Sequence, residues 1–148
     1  MSIALDQSAI STALSRLADQ LFLDAGTDTI DLVGIRRRGD EVSERVAALL
    51  KEKGANVRLG VLDISLYRDD FEHLHENALL QSSEIDFSID GSRVILVDDV
   101  IFTGRTIRAA LDAIFDYGRP AAVELAVLID RGHRELPIEP RYVGATLE

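Results

Sequence analysis

Val94-Ile95-Leu96-Val97-Asp98-Asp99-Val100-Ile101-Phe102-Thr103-Gly104-Arg105-Thr106 is the stretch from which the rest of the chain is read. Four aliphatic residues lead into two adjacent carboxylates. A turn bearing hydroxyls and a glycine then leads into an amphipathic pattern over residues 107–117. The order predicts a buried strand, an acidic strand end, a phosphate-sized loop and a helix N-terminus. It suits a sugar phosphate. Carboxylates accept hydrogen bonds from ribose hydroxyls or hold a hydrated Mg2+. Free N–H groups and the positive end of a helix dipole favour phosphate. An Asp pair alone is often a solvated edge or a helix cap. Here Thr103-Gly104-Arg105-Thr106 follows within a few residues, and the combination favours a binding role.

Working outward, the same order recurs. Residues 30–35 form a short aliphatic run that ends at Arg36-Arg37-Arg38-Gly39. Residues 40–53 then carry Val42, Val46, Leu49 and Leu50 on one helical face, with Gly54 as the stop. A triple arginine is commonly a solvated turn, but the glycine after it lets backbone amides approach an anion, and a helix N-terminus lies just beyond. Residues 122–129 are another largely aliphatic run, ending at Asp130-Arg131-Gly132-His133. Ligands of open α/β sheets gather at the carboxyl ends of strands. The clusters at 36–39, 98–106 and 130–133 each follow a predicted strand, so they are expected to converge on one site.

The remaining segments supply the frame. Residues 8–23 place Ile10, Leu14, Leu17, Leu21 and Phe22 at helical spacing, with Asp6 or Ser8 as the N-cap. Residues 57–66 read as a long strand, and 71–90 as a polar, acidic loop of functional length. His73 and His75 lie in that loop without further metal ligands around them. His133 is more readily a packed histidine than a general base. Pro137 and Pro140 punctuate a return to a last strand from Tyr142.

Composition narrows the function classes. At 148 residues one domain is the default, and 47% hydrophobic content argues for a globular fold. With no cysteine, disulfides and thiolate metal sites are excluded. No secretory signal or membrane-length apolar run is visible, which leads us to expect a cytoplasmic protein with no membrane partner. A net charge of −10 disfavours non-specific nucleic-acid binding. The charge is uneven, however: residues 35–60 hold seven basic and four acidic groups, and 61–93 hold two basic and eight acidic. Neither G-x-G-x-x-G nor a Walker A sequence occurs. A receiver-type signalling domain would need a lysine at a later strand end, and the two lysines, Lys51 and Lys53, lie on a predicted helix.

The stretch from Val94 to Thr106 resembles the phosphoribosyl pyrophosphate (PRPP) motif of type I phosphoribosyltransferases. Leu66-Tyr67-Arg68-Asp69-Asp70, Gly118-Arg119-Pro120 and Asp130-Arg131-Gly132-His133-Arg134-Glu135-Leu136-Pro137-Ile138 resemble one branch closely. That branch is the bifunctional pyrimidine operon regulator/uracil phosphoribosyltransferase family. The resemblance covers nearly the whole chain and is most specific from Val94 to Ile138.

The resemblance implies an α/β fold: a type I phosphoribosyltransferase-like open sheet, mostly parallel, with helices on both faces and a flexible hood loop, as a single domain over 1–148. It implies transfer of a ribosyl 5-phosphate from PRPP to uracil, giving UMP and pyrophosphate, with Mg2+ as cofactor. Asp98 and Asp99 would fix the ribose hydroxyls and meet the metal indirectly. Thr103, Gly104, Arg105 and Thr106 would hold the 5-phosphate, and Val100, Ile101 and Phe102 before them would be substrate-binding as well. Arg37, Arg38 and Gly39 would form a pyrophosphate loop, which in related enzymes holds a strained non-proline peptide. Arg68, from the hood, would reach pyrophosphate as a further catalytic group, and Arg131 would lie nearest the base. The family also implies a homodimer or higher homo-oligomer and regulation of pyrimidine genes through RNA. Family members continue past residue 148 through another loop and strand near the base pocket. Two alternatives stay open: an RNA-binding attenuation regulator with little or no catalysis, and a phosphoribosyltransferase for another base.

Overall fold

The computed structural model describes residues 6–65 and 83–147. The elements are α1 (Gln7–Ala25), β1 (Ile30–Arg36), α2 (Gly39–Glu52), β2 (Val57–Asp63), β3 (Arg93–Ile101), α3 (Arg105–Ile114), β4 (Ala122–Asp130) and β5 (Tyr142–Thr146). The five strands form one sheet in the order β2-β1-β3-β4-β5, and every neighbouring pair is parallel. Parallel strands bury both faces, which is why β1, β3 and β4 read as aliphatic runs rather than alternating ones. Alternation decides the face instead. Leu32, Ile95, Val97, Ala126 and Leu128 meet α1 and α2 on one side. Val33, Ile35, Leu96, Leu125 and Val127 meet α3 on the other. The expected open parallel sheet with helices on both faces is the architecture observed. Each fully buried Leu or Ile contributes about 1.5–3 kcal/mol.

The helices start where local chemistry lets them. The Asp6 carboxylate caps α1 by accepting the Ala9 N–H at 2.8 Å. Leu14, Leu17, Ala18 and Leu21 then bury one stripe. Helix α3 begins at Arg105, two residues before the apolar pattern does, because Gly104 at φ 96 serves as its N-cap. It ends at Ile114 rather than Tyr117, where bonds from Asp116 N to Ala113 O and from Tyr117 N to Ile114 O tighten the last turn. Strand β2 stops at Asp63, whose carboxylate accepts the Ser65 N–H at 2.8 Å and turns the chain. The end of the predicted 57–66 strand and most of the predicted 71–90 hood loop, Arg68 between them, fall outside the described residues. Because all strands run the same way, the segments after β1, β3 and β4 leave the sheet at one edge.

Candidate active site

Strand β3 does not stop at its aliphatic core. It continues through both carboxylates to Ile101, which pairs with Asp130 of β4. Asp98 is 5% exposed and Asp99 is half-buried. Each carboxylate turns one oxygen back on the chain: Asp98 Oδ1 accepts the Asp99 N–H and Asp99 Oδ1 accepts the Val100 N–H, both at 2.8 Å. Burial, reinforced by the charge of Asp99 beside it, pushes the Asp98 carboxyl up to about 8. Burial and the neighbouring carboxylate therefore favour a proton on Asp98 in the ligand-free protein, and an approaching cation favours its ionisation.

The basic loop folds over this pair. The Arg36–Arg37 peptide bond is cis, in the loop for which the resemblance implied an unusual non-proline peptide. Arg38 follows at φ 79 and caps α2 without a side-chain bond. Its guanidinium, 79% exposed, lies 4.0 Å from Asp99 Oδ2. Arg37 is exposed as well. Arg36 turns away, with its Nε 3.5 Å from Asp40 Oδ2. Asp40 Oδ1 is buried and has no hydrogen-bond partner among the described residues. Gly39 presses on β3: a Cβ there would lie 3.0 Å from Asp98 Cα and would meet the Val97 carbonyl oxygen. The first turn of α2 thus stands directly beside the carboxylates.

Phe102, Thr103 and Gly104 form the turn from β3 into α3. Arg105 and Thr106 are the first residues of the helix and are exposed. The Thr103 hydroxyl oxygen accepts the Arg105 N–H at 3.2 Å. Ile101 contributes only backbone, because its side chain lies in the core. Residues 131–138 form a strap along the back of this turn. Arg131 N donates to Ile101 O at 3.0 Å, Glu135 N to Thr103 O at 2.9 Å and Leu136 N to Thr103 O at 3.2 Å. Arg105 Nε donates to Glu135 Oε1 at 2.7 Å. Phe102, 44% exposed, has the Arg131 guanidinium 5.2 Å and the His133 ring 5.5 Å from its own ring centre.

The structure brings Arg38, Gly39, Asp98, Asp99, the 102–106 turn and Arg131 to one edge, as the three clusters were expected to be. Two features went unassigned in the sequence. Phe102 with His133 makes an exposed aromatic surface beside Arg131. Arg134 is the other: its side chain is 13% exposed and bonded to Phe102 O, Asp130 and Ile138 O. That arginine holds the Asp130 carboxyl below its usual range, chiefly through their hydrogen bond. The signal for Arg134 was present only as a charged residue inside a polar loop, and its partner Phe102 is 32 positions away.

Comparison with known proteins fits this geometry. The model of the phosphoribosyl transferase domain family matches residues 3–147. The chain is 54% identical over 142 residues to the Bifunctional protein PyrR of Pelotomaculum thermopropionicum, covering 95% of this chain and 78% of that one. It is 50% identical over 146 residues to the Bifunctional protein PyrR of Akkermansia muciniphila, covering 99% and 82%. Among solved structures, a hypoxanthine phosphoribosyltransferase from Staphylococcus aureus superposes with a TM-score of 0.76 at 19% identity, covering 99% of this chain and 78% of that one. That likeness speaks to the fold, while the family match and the relatives at half identity speak to descent, and on them the chain belongs to the phosphoribosyl transferase domain family.

Proposed function

We propose that the chain is a uracil phosphoribosyltransferase that takes a ribosyl 5-phosphate from PRPP and delivers it to uracil, releasing pyrophosphate and forming UMP. The observation that carries the reading is the meeting of Asp98 and Asp99 with the α2 N-terminus and the Gly104-capped start of α3. One edge then offers carboxylates for hydroxyls between two anion-binding backbones. In the reaction the anomeric C–O bond breaks and its electron pair leaves on pyrophosphate. A uracil nitrogen bonds to the anomeric carbon and gives up its proton to the departing pyrophosphate or to water. Positive charge builds on the ribose, as in glycoside cleavage. Asp98 and Asp99 hold the ribose hydroxyls and place negative charge near that carbon. Thr103, Gly104, Arg105 and Thr106 receive the 5-phosphate. Arg37, Arg38 and Gly39 face the departing pyrophosphate, and Arg68 is assigned there from the resemblance alone. Arg131 and Phe102 border the base.

The donor set fits Mg2+ brought in on the diphosphate. Asp98 and Asp99 are two carboxylates, and among the described residues no cluster of three or more His, Cys, Asp or Glu could cage an ion by itself. Mg2+ characteristically keeps water and phosphate oxygens and takes one or two protein carboxylates. When bound it would neutralise charge on the diphosphate.

The relatives' name, Bifunctional protein PyrR, supports a second role beside catalysis, and the resemblance to pyrimidine operon regulators makes that role the regulation of pyrimidine gene expression through RNA. A net charge of −10 leaves any RNA contact to local basic surface. Among the described residues no helix is long and apolar enough to cross a membrane. Labelled PRPP tested with uracil, hypoxanthine, adenine and orotate decides the enzymatic reading: UMP formation is expected, and turnover of another base alone would overturn it. Filter binding to pyrimidine-operon leader RNA across a salt series, with and without UMP, decides the second. Binding that steepens with UMP is expected; its absence would remove the regulatory role.

A further inference from the structure

Arg134 is bonded in three directions, and its Nε also lies 3.2 Å from Glu139 Oε1. Nη1 donates to the Phe102 carbonyl at 3.1 Å, Nη2 to Asp130 Oδ2 at 2.8 Å and Nε to the Ile138 carbonyl at 2.8 Å. Its side chain is 13% exposed, against 57% for Arg105. A planar guanidinium can serve three acceptors from one fixed position, whereas a lysine ammonium on a flexible stem cannot hold that fork.

We propose that Arg134 is a positioning residue for the 5-phosphate, aiming the backbone amides of the 102–106 turn without touching the substrate. The proposal rests on the reading of that turn as the phosphate loop. The reason is peptide geometry. In a trans peptide the C=O and the following N–H point in opposite directions, and the cis bond among the described residues is Arg36–Arg37, not one in this turn. Arg134 draws the Phe102 carbonyl towards the strap, so the Thr103 N–H is directed away from it. The Glu135 and Leu136 N–H groups draw the Thr103 carbonyl the same way, so the Gly104 N–H is directed away as well. Both amides then face the side on which α3 begins. Leu136 and Ile138 side chains back Gly104, each within 3.6 Å of where a Cβ would stand, and keep the turn from relaxing towards the strap.

The test is calorimetric titration with ribose 5-phosphate and, separately, with pyrophosphate plus Mg2+. Arg134→Met is expected to weaken ribose 5-phosphate by about tenfold or more, the loss typical of removing a charge-assisted bond that aligns a site. Pyrophosphate affinity is expected to stay within about twofold, because the bonds of Arg134 run to Phe102, Asp130, Ile138 and Glu139 and serve the other loop. Arg134→Lys should recover part of the loss by reaching one acceptor, and it carries the test where Arg134→Met does not fold. Tyr142→Phe, which removes a hydroxyl bonded to Asp24 and Glu124 and not to the site, lowers stability without splitting the two affinities. Equal losses for both ligands in the Arg134 variants, or none, would overturn the proposal. So would full recovery in Arg134→Met with Asp130→Asn, which would show that the exposed Asp130 charge was the cause. Thr106→Val separates the underlying reading. If it leaves ribose 5-phosphate unchanged, the phosphate-loop assignment itself fails. If it weakens binding and Arg134→Met does not, only the role of Arg134 fails.

Discussion

Gly39 is seated on Asp98: a Cβ at position 39 would stand 3.0 Å from Asp98 Cα and 3.2 Å from Asp98 Oδ1, with the Val97 carbonyl oxygen closer still. The contact is backbone against backbone, so no side-chain rotation relieves it. Gly39→Ala must therefore push the first turn of α2 off β3. The expected cost is about 1–3 kcal/mol of stability, the usual range for overpacking. PRPP affinity should fall further than ribose 5-phosphate affinity, because the displaced turn follows the loop proposed to face pyrophosphate. Thermal melting with parallel titrations checks both, and wild-type values in each would show that the gap can absorb a methyl group.

Asp98 makes stability depend on pH in an unusual direction. Its carboxyl is raised to about 8 in the folded, ligand-free protein by burial and by Asp99, against an ordinary value of 3.8. Between those values the folded state binds more protons than the unfolded state, so stability falls as pH rises through the window and levels off above it. Asp98→Asn keeps the side chain neutral at every pH. In chelator, its melting temperature should gain on wild type from pH 5 to about pH 8 and hold that gain above it. An advantage that stays constant with pH would mean that Asp98 is not the titrating group. The same substitution, combined with Asp99→Asn, should remove most turnover while leaving the fold intact; near-wild-type rates would refute their assigned role.

How much of this was legible in the sequence follows from where the information lies. Strands β1, β3 and β4 were legible because buried parallel strands are written as local aliphatic runs. The convergence of the three clusters was legible because parallel strands deliver their carboxyl ends to one edge. Carboxylates disfavour strands, so the continuation of β3 through Asp98 and Asp99 was hidden; the β4 ladder that overrides this preference is visible only in three dimensions. Helix α3 starts before its apolar pattern because Gly104 takes a left-handed cap. The role of Arg134 was illegible for a simpler reason. Its meaning depends on the carbonyl of Phe102, and no local pattern encodes a partner 32 residues away.

Tyr142 anchors the other edge of the sheet. Its hydroxyl lies 2.6 Å from Asp24 Oδ2 and 2.9 Å from Glu124 Oε1. A single proton serves only one of them at a time, and Arg93 and Arg141 compensate both carboxylates. Tyr142→Phe removes the hydroxyl from a side chain that is 3% exposed, at an expected cost of about 1–3 kcal/mol. The hydroxyl is also the main cause that holds Asp24 below its ordinary 3.8. That contribution is complete above the ordinary value and fades as pH falls through the lowered one, so the difference between wild type and variant should narrow in acid. Denaturant melts at pH 7 and pH 3 measure it. Ligand affinities should not change, because the Tyr142 hydroxyl is bonded to Asp24 and Glu124, near Arg93 at the start of β3, and not to the carboxylates at its far end.

Removing divalent metal should divide the two halves of PRPP recognition. With two neighbouring carboxylates and no larger acidic cluster among the described residues, the protein has little to offer a lone Mg2+. A diphosphate approaching Asp99 without a cation meets like charge. Arg38, 4.0 Å from Asp99 and largely exposed, offsets that repulsion only weakly in water. PRPP affinity is therefore expected to drop by about tenfold or more in excess chelator, at a coupling near that of a single strong charge pair. Ribose 5-phosphate, which the proposed reading seats on backbone amides at the Gly104 turn, should bind equally well with and without metal. Titrations of both ligands in Mg2+ and in EDTA make the comparison directly. Unchanged PRPP affinity in EDTA would place the diphosphate on arginines alone, and a parallel loss of ribose 5-phosphate would place the metal at the phosphate turn instead.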